Sequence, residues 1–179
     1  MDIKCIFMIV FILALISRMK VNNRLDRYTL KLNEKFRGIN NQELYEFVMR
    51  NPHIVNKWMD SISYFMESNE MPLGVGKVYE VFVGTYSIYF VATRFEERKS
   101  ITIQTDSYFL ILSSFSISFH ENCNCSTLQI EHNFNIDSML FQNLFGDAMR
   151  KFLEERLQRA LTNLKLMLYN LQSDGLHVY

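Results

Sequence analysis

At 179 residues, with 49% hydrophobic and 21% charged side chains, the chain has the composition of one globular domain and not of a disordered polymer. Nineteen basic residues balance nineteen acidic ones, and Lys and Arg are not interleaved with aromatics, which excludes a nucleic-acid partner recruited by charge. Three cysteines exclude a disulfide framework, and no phosphate loop, nucleophile elbow or metal-spaced His/Cys/Glu set is present.

The first element is "CIFMIVFILALI", Cys5 to Ile16, twelve unbroken apolar residues between Lys4 and the polar flank Ser17, Arg18 and Lys20. A bilayer span needs about 17 to 25 residues, so the run fits the apolar region of a signal peptide, with residues 1–20 as the targeting segment. Two features oppose cleavage. Leu15 stands where a small residue is preferred, and Arg18, Lys20, Arg24 and Arg27 favour an uncleaved anchor with a cytosolic domain. The expected location is therefore secreted or endomembrane lumen, with a membrane-anchored cytosolic domain as the alternative. A glycosylation sequon at Asn124 matters only in the first case. Cys123 and Cys125 read as two thiols at a turn or a strained bridge.

After residue 27 the pattern runs as one unit to about residue 172, followed by a short tail, 173–179. Tyr28 to Phe36 alternates as a half-buried strand. Asn40 or Asn41 caps a short helix carrying Leu44, Phe47 and Val48 on one face, and Pro52 opens a second that ends near Trp58. Period-two patterning then predicts six strands, at about 61–68, 76–83, 86–95, 98–105, 108–120 and 126–136. The last run is one long helix, 141–172, with Leu144, Phe145, Ala148, Met149, Phe152, Leu153, Leu157, Ala160, Leu161, Leu164, Leu168 and Leu171 read as a broad apolar stripe.

Apolar residues must face apolar residues across a correct antiparallel register. A two-residue turn at Gly84-Thr85 pairs Val83 with Tyr86, Val81 with Ile88 and Tyr79 with Phe90. A turn at Glu96-Glu97 pairs Ala92 with Ile101 and Phe90 with Ile103, and one at Asp106-Ser107 pairs Ile103 with Leu110 and Ile101 with Leu112. Closing the last hairpin at Cys123-Asn124 pairs Phe119 with Leu128, Ile117 with Ile130 and Phe115 with His132. Even positions then face inward at Leu110 and Leu112 but odd ones at Phe115, Ile117 and Phe119, so a bulge at Ser113-Ser114 is expected.

One strand, two short helices, six strands and a long helix over residues 28–172 resemble the START-like superfamily, also called SRPBCC or helix-grip. "NPHIVNKWM", "GVGKVYEV", "STLQIEHNF" and "FLEERLQRALTNLKLMLYN" carry the likeness, nearest to its polyketide-cyclase-like and coenzyme Q-binding branch. The resemblance implies an α+β fold: a curved seven-stranded antiparallel sheet wrapped round the C-terminal helix, with two short helices between strands 1 and 2. It also implies an elongated pocket for a lipid, sterol, quinone or polyketide-like molecule. Trp58 then packs where the short helices close one end of the sheet.

The candidate ligand-binding residues are Tyr79, Ile88, Phe90, Ile103, Tyr108, Leu110, Phe115, Ile117, Ile130, His132 and Met149. His132 is the polar group on this face, with Tyr79, Tyr86, Tyr108 and Thr105 as candidate companions; it serves as a satisfied core group, a partner for a ligand carbonyl or hydroxyl, or a general acid/base. No carboxylate accompanies it, so no catalytic residue, metal or cofactor is assigned. Three functions stay open: binding or transfer of an apolar small molecule; a cavity-less protein-interaction module tethered at a membrane; and a cyclase- or hydrolase-like enzyme using His132 and a Tyr. The expected partners are an apolar ligand and a membrane met through residues 5–16, with no nucleic acid.

Overall fold

A computed structural model describes residues 27–105, 111–122, 125–136 and 139–173. Strand β1 (Arg27–Arg37) is followed by helix α1 (Asn41–Met49), a 3-10 turn (Pro52–Ile54) and the single turn α2 (Val55–Trp58). Six strands follow: β2 (Tyr64–Glu67), β3 (Val78–Val83), β4 (Tyr86–Glu96), β5 (Ser100–Thr105), β6 (Ile111–Asn122) and β7 (Cys125–Ile136). Helix α3 (Met139–Ser173) closes the chain order. All seven strands form one antiparallel sheet in the order β1-β7-β6-β5-β4-β3-β2, so β1 crosses over to pair with β7. This is the predicted fold class, with strand bounds shifted by one to three residues: β1, β4 and β7 run slightly longer than expected, β6 ends later, and β2 keeps only residues 64–67 of the expected 61–68.

Local chemistry sets the boundaries. Asn40 is the cap of α1, its Oδ1 accepting from Glu43 N at 2.7 Å. Gly84 has φ +63° and Thr85 follows with negative φ, as a type II′ turn requires. The registers predicted for β3–β4 and β6–β7 are both present, including Tyr79 with Phe90, Ile117 with Ile130 and Phe115 with His132.

The two middle hairpins differ from the expectation. β4 and β5 are joined through residues 97–99, with Arg98 at φ +61°, and a bulge lies between Ala92 and Arg94. Ala92 therefore pairs with Ile103 and Phe90 with Thr105, instead of with Ile101 and Ile103. A slip of two residues keeps every side chain on its face, so alternation cannot distinguish the two registers. Between β5 and β6, Ile103 pairs with Phe115 and Ile101 with Ile117, not with Leu110 and Leu112. That offset of five positions is odd and reverses which residues of β6 face inward. No bulge at Ser113-Ser114 is then needed, and the β6–β7 register runs unbroken from Ile111 to Asn122.

The main core joins Leu157, Ala160, Leu161, Leu164 and Leu168 of α3 to Leu30 and Phe36 of β1, Leu128, Ile130 and Phe134 of β7, α1 and Trp58. Trp58 is buried as predicted, and Asn163 Nδ2 of α3 donates to its carbonyl at 3.5 Å. Polar ties fix the helix along β1: Lys165 pairs with Glu34, Arg37 N donates to Tyr169 Oη at 3.2 Å, and Gln172 Nε2 donates to Gly38 O at 3.1 Å. A second, smaller core holds Tyr79, Val81, Phe90, Ala92 and Ile101 on β3 to β5.

The broad stripe expected on the long helix is in fact two. At about 100° per residue, Leu144, Ala148 and Phe152 lie roughly 150° round from Leu157 and Leu164, and all three are exposed. The core-facing stripe continues into the first half of the helix through Gly146, Met149 and Leu153, while Leu144, Ala148 and Phe152 form the second stripe on the opposite side.

Candidate functional site

The concave face of the sheet carries a row of rings. Tyr28 of β1 stacks on Phe134 of β7 at 5.0 Å, His132 tilts against Phe134 at 5.3 Å, and Phe115 of β6 stacks on His132 at 3.8 Å with the planes 10° apart. Phe90 of β4 meets Phe115 edge-on at 5.9 Å. The row exists because antiparallel pairing sets Phe115 opposite His132, while the inward parity of β4 points Phe90 to the same side. Gly146 of α3 lies over its end, where an added Cβ would collide with the Tyr28 hydroxyl.

His132 faces inward, as expected, and is only 3% exposed. Its Nε2 lies 2.7 Å from Ser113 Oγ, and Nδ1 has no hydrogen-bond partner among the described residues. An orphaned acceptor costs less than an orphaned N–H, which favours the proton on Nε2, donated to Ser113, with Nδ1 a bare acceptor. Burial pushes the imidazole pKa down to about 4, so the ring is neutral at pH 7. Next to it Thr105 is buried, and its Oγ1 accepts from Ser113 N at 3.3 Å. Thr105, Ser113 and His132 thus form a small neutral polar cluster under an apolar surface.

Of the other candidates, Tyr79, Phe90 and Ile130 are buried. Tyr79 packs against Phe65 at 5.1 Å, and burial, with Glu67 second, pushes its phenol up to about 12. Ile88, Ile103, Phe115 and Ile117 are only half-buried although they pack against the cores. Met149 is half-buried against the main core. Tyr86 shares the inward parity but sits at the β3–β4 turn, 68% exposed, and does not join His132. Tyr108, Leu110 and the sequon residue Asn124 lie outside the described residues, as does the apolar run 5–16. Cys125 is a free, partly buried thiol.

The two cores do not merge. Met49, Ile62, Phe65, Leu73, Phe115 and Ile117 pack against both, yet none is fully buried. They line a seam between the sheet and the helices. At the α1 end the seam reaches the surface in a cleft of about 500 Å³ walled by Tyr45, Met49, Leu73 and Phe95, with Arg50, Glu67 and Glu97 at the charged side.

Two groups were not found from sequence. Ser113 stood in the expected bulge, and only the corrected register brings it beside His132. Lys77 is 3% exposed and donates to Glu67 Oε2 at 2.6 Å, Met71 O at 2.6 Å and Asn69 O at 3.0 Å. With three donors satisfied, it clips the β2–β3 connection in place. The sequence signal for it was weak, since a Lys among glycines at a strand entry reads as solvated.

Comparison with solved structures decides the fold. The di-domain ARO/CYC BexL from the BE-7585A biosynthetic pathway superposes with a TM-score of 0.59 at 16% identity, over 76% of this chain and 49% of that one. Ara h 8.0201 matches with a TM-score of 0.55 at 14% identity, over 77% of this chain and 98% of that chain. The fold is the START-like helix grip. TTHA0849 from Thermus thermophilus shares it, with a TM-score of 0.61 at 6% identity over 77% of this chain and 94% of that one. No family model matches the helix-grip chain, and no curated protein matches its sequence.

Proposed function

We propose that this helix-grip domain binds an apolar small molecule of lipid, sterol, quinone or polyketide-like character in the seam between sheet and helices. The observation that carries the reading is the half-burial of Phe115 and Ile117, which pack against both cores and are still not fully enclosed. Inward apolar residues in a solid core are shut off from water; these are not. Ligand carbon placed against them is stabilised by about 0.8 kcal/mol per methylene. Similarity to an ARO/CYC protein supports a cavity of this kind.

Binding without chemistry fits the polar cluster. His132 is buried, neutral and already bonded to Ser113, and among the described residues no carboxylate is bonded to it. Its free Nδ1 acceptor favours a ligand that carries a hydroxyl over a pure hydrocarbon.

Ligand extraction after native mass spectrometry, followed by displacement with fluorescent sterol and fatty-acid probes, tests the reading. Ile117→Trp fills the seam and is expected to abolish probe uptake, with overpacking costing about 1 to 3 kcal/mol. Unchanged uptake by a folded I117W protein, or no uptake by wild type, would return the first place to the interaction-module reading.

A further inference from the structure

Strand direction divides the molecule into two ends. At one of them β1, β2, β4 and β6 begin and β3, β5 and β7 stop. Helix α3 starts at the same end, because it follows β7 directly and its Gly146 sits over Tyr28 near the start of β1. The cleft walled by α1 and the β4–β5 turn is at the other.

Exposed apolar surface is concentrated at the first end. Of the ten large apolar side chains exposed among the described residues, five lie there: Tyr64, Val83, Tyr86, Leu144 and Phe145. Leu144 is 64% exposed and Phe152 is 52% exposed, on the helix stripe that faces away from the core, and Tyr86 projects from the β3–β4 turn. Scattered single residues need no explanation, but a rim at one end of a domain marks a contact surface.

The sequence before residue 27 indicates what covers it. The chain enters β1 at this end, and upstream it carries the apolar run Cys5 to Ile16 and then Arg18, Lys20, Arg24 and Arg27. The linking residues 17–26 reach at most about 35 Å when fully extended, so whatever holds the run keeps this end close. The first half of α3 adds no net positive charge, since its exposed Arg150 and Lys151 are met by Asp147, Glu154 and Glu155.

We propose that this end of the domain docks on a lipid bilayer. The apolar run enters the bilayer, the rim of Tyr86 and Leu144 seats about 5–10 Å into the boundary between headgroups and chains, and the basic residues meet the phosphates. The cleft at the α1 end then faces away from the membrane. This orientation stands whether or not the seam holds a ligand, and vesicles alone are enough to test it.

Leu144→Trp and Tyr86→Trp are each introduced into the full chain, with Lys99→Trp at the opposite turn as control. Each variant is reconstituted in phosphatidylcholine vesicles brominated on the acyl chains, and Trp58, which is 2% exposed, gives the constant background in wild type. Docking predicts loss of most of the added emission for L144W and Y86W relative to unbrominated vesicles, and none for K99W. No loss at 144 and 86, or equal loss at 99, overturns the proposal. Blue-shifted but unquenched emission from L144W also overturns it, because the stripe is then covered by the chain's own N-terminal segment or by a second copy.

Discussion

His132 illustrates how one buried side chain ties stability to pH. Its folded pKa, about 4, lies below the unfolded value of 6.5, so between these limits the unfolded chain binds more protons than the folded one. Stability is therefore full above pH 6.5, falls as pH drops, and has lost this contribution below about pH 4. The difference is on the order of 3 kcal/mol. Urea unfolding from pH 7.5 to 4 is expected to show that decline in wild type and a shallower one in His132→Phe. The Phe ring keeps the stack on Phe115 but leaves Ser113 Oγ without its partner, which costs about 1 kcal/mol at pH 7. Identical pH profiles for the two proteins would contradict the burial of a neutral imidazole.

Among the elements, helix α3 combines two surfaces of opposite character. Leu164 is wholly buried against β1 and β7, so Leu164→Ala leaves a cavity and is expected to cost about 2 to 5 kcal/mol. Leu144→Ala, earlier in the helix on an exposed face, should change stability by less than about 0.5 kcal/mol in the absence of vesicles. Chemical denaturation of both variants checks the contrast; equal losses would mean that the Leu144 face of the helix is also packed. The hairpins show a similar division of labour. The Gly84 turn and the β6–β7 register follow from local residue types, whereas the Ala92–Arg94 bulge carries no such local signal.

For the whole molecule, binding in the seam links to global stability. A ligand present at about a hundredfold its Kd adds about 2.7 kcal/mol to the folded state. For a domain of this size that is a rise in Tm of roughly 5 to 10 °C, read by scanning calorimetry with and without the extracted ligand. I117W, with its seam filled, should show no such rise.

Much of this architecture was readable from residues alone. Amphipathic period, capping Asn40, the Gly84 turn and the apolar match across β6 and β7 determine the order of elements, two of the hairpin registers and the inward face that includes Phe115, Ile117 and His132. These are local signals, or pairings constrained by a short turn. Three things were decided only by tertiary packing. The β4–β5 register was ambiguous because a two-residue slip preserves the face. The β5–β6 register depends on a longer connection than the two-residue turn that alternation suggested, and it removes the expected bulge, so that the β6–β7 pairing sets Ser113 beside His132. The split of the α3 stripe was invisible because hydrophobicity records that a residue favours burial, not whether a partner surface lies within reach. Leu157 through Leu168 point at the sheet, whereas Leu144 and Phe152 lie roughly 150° round the helix and stay exposed although Met149 and Leu153 near them pack on the core.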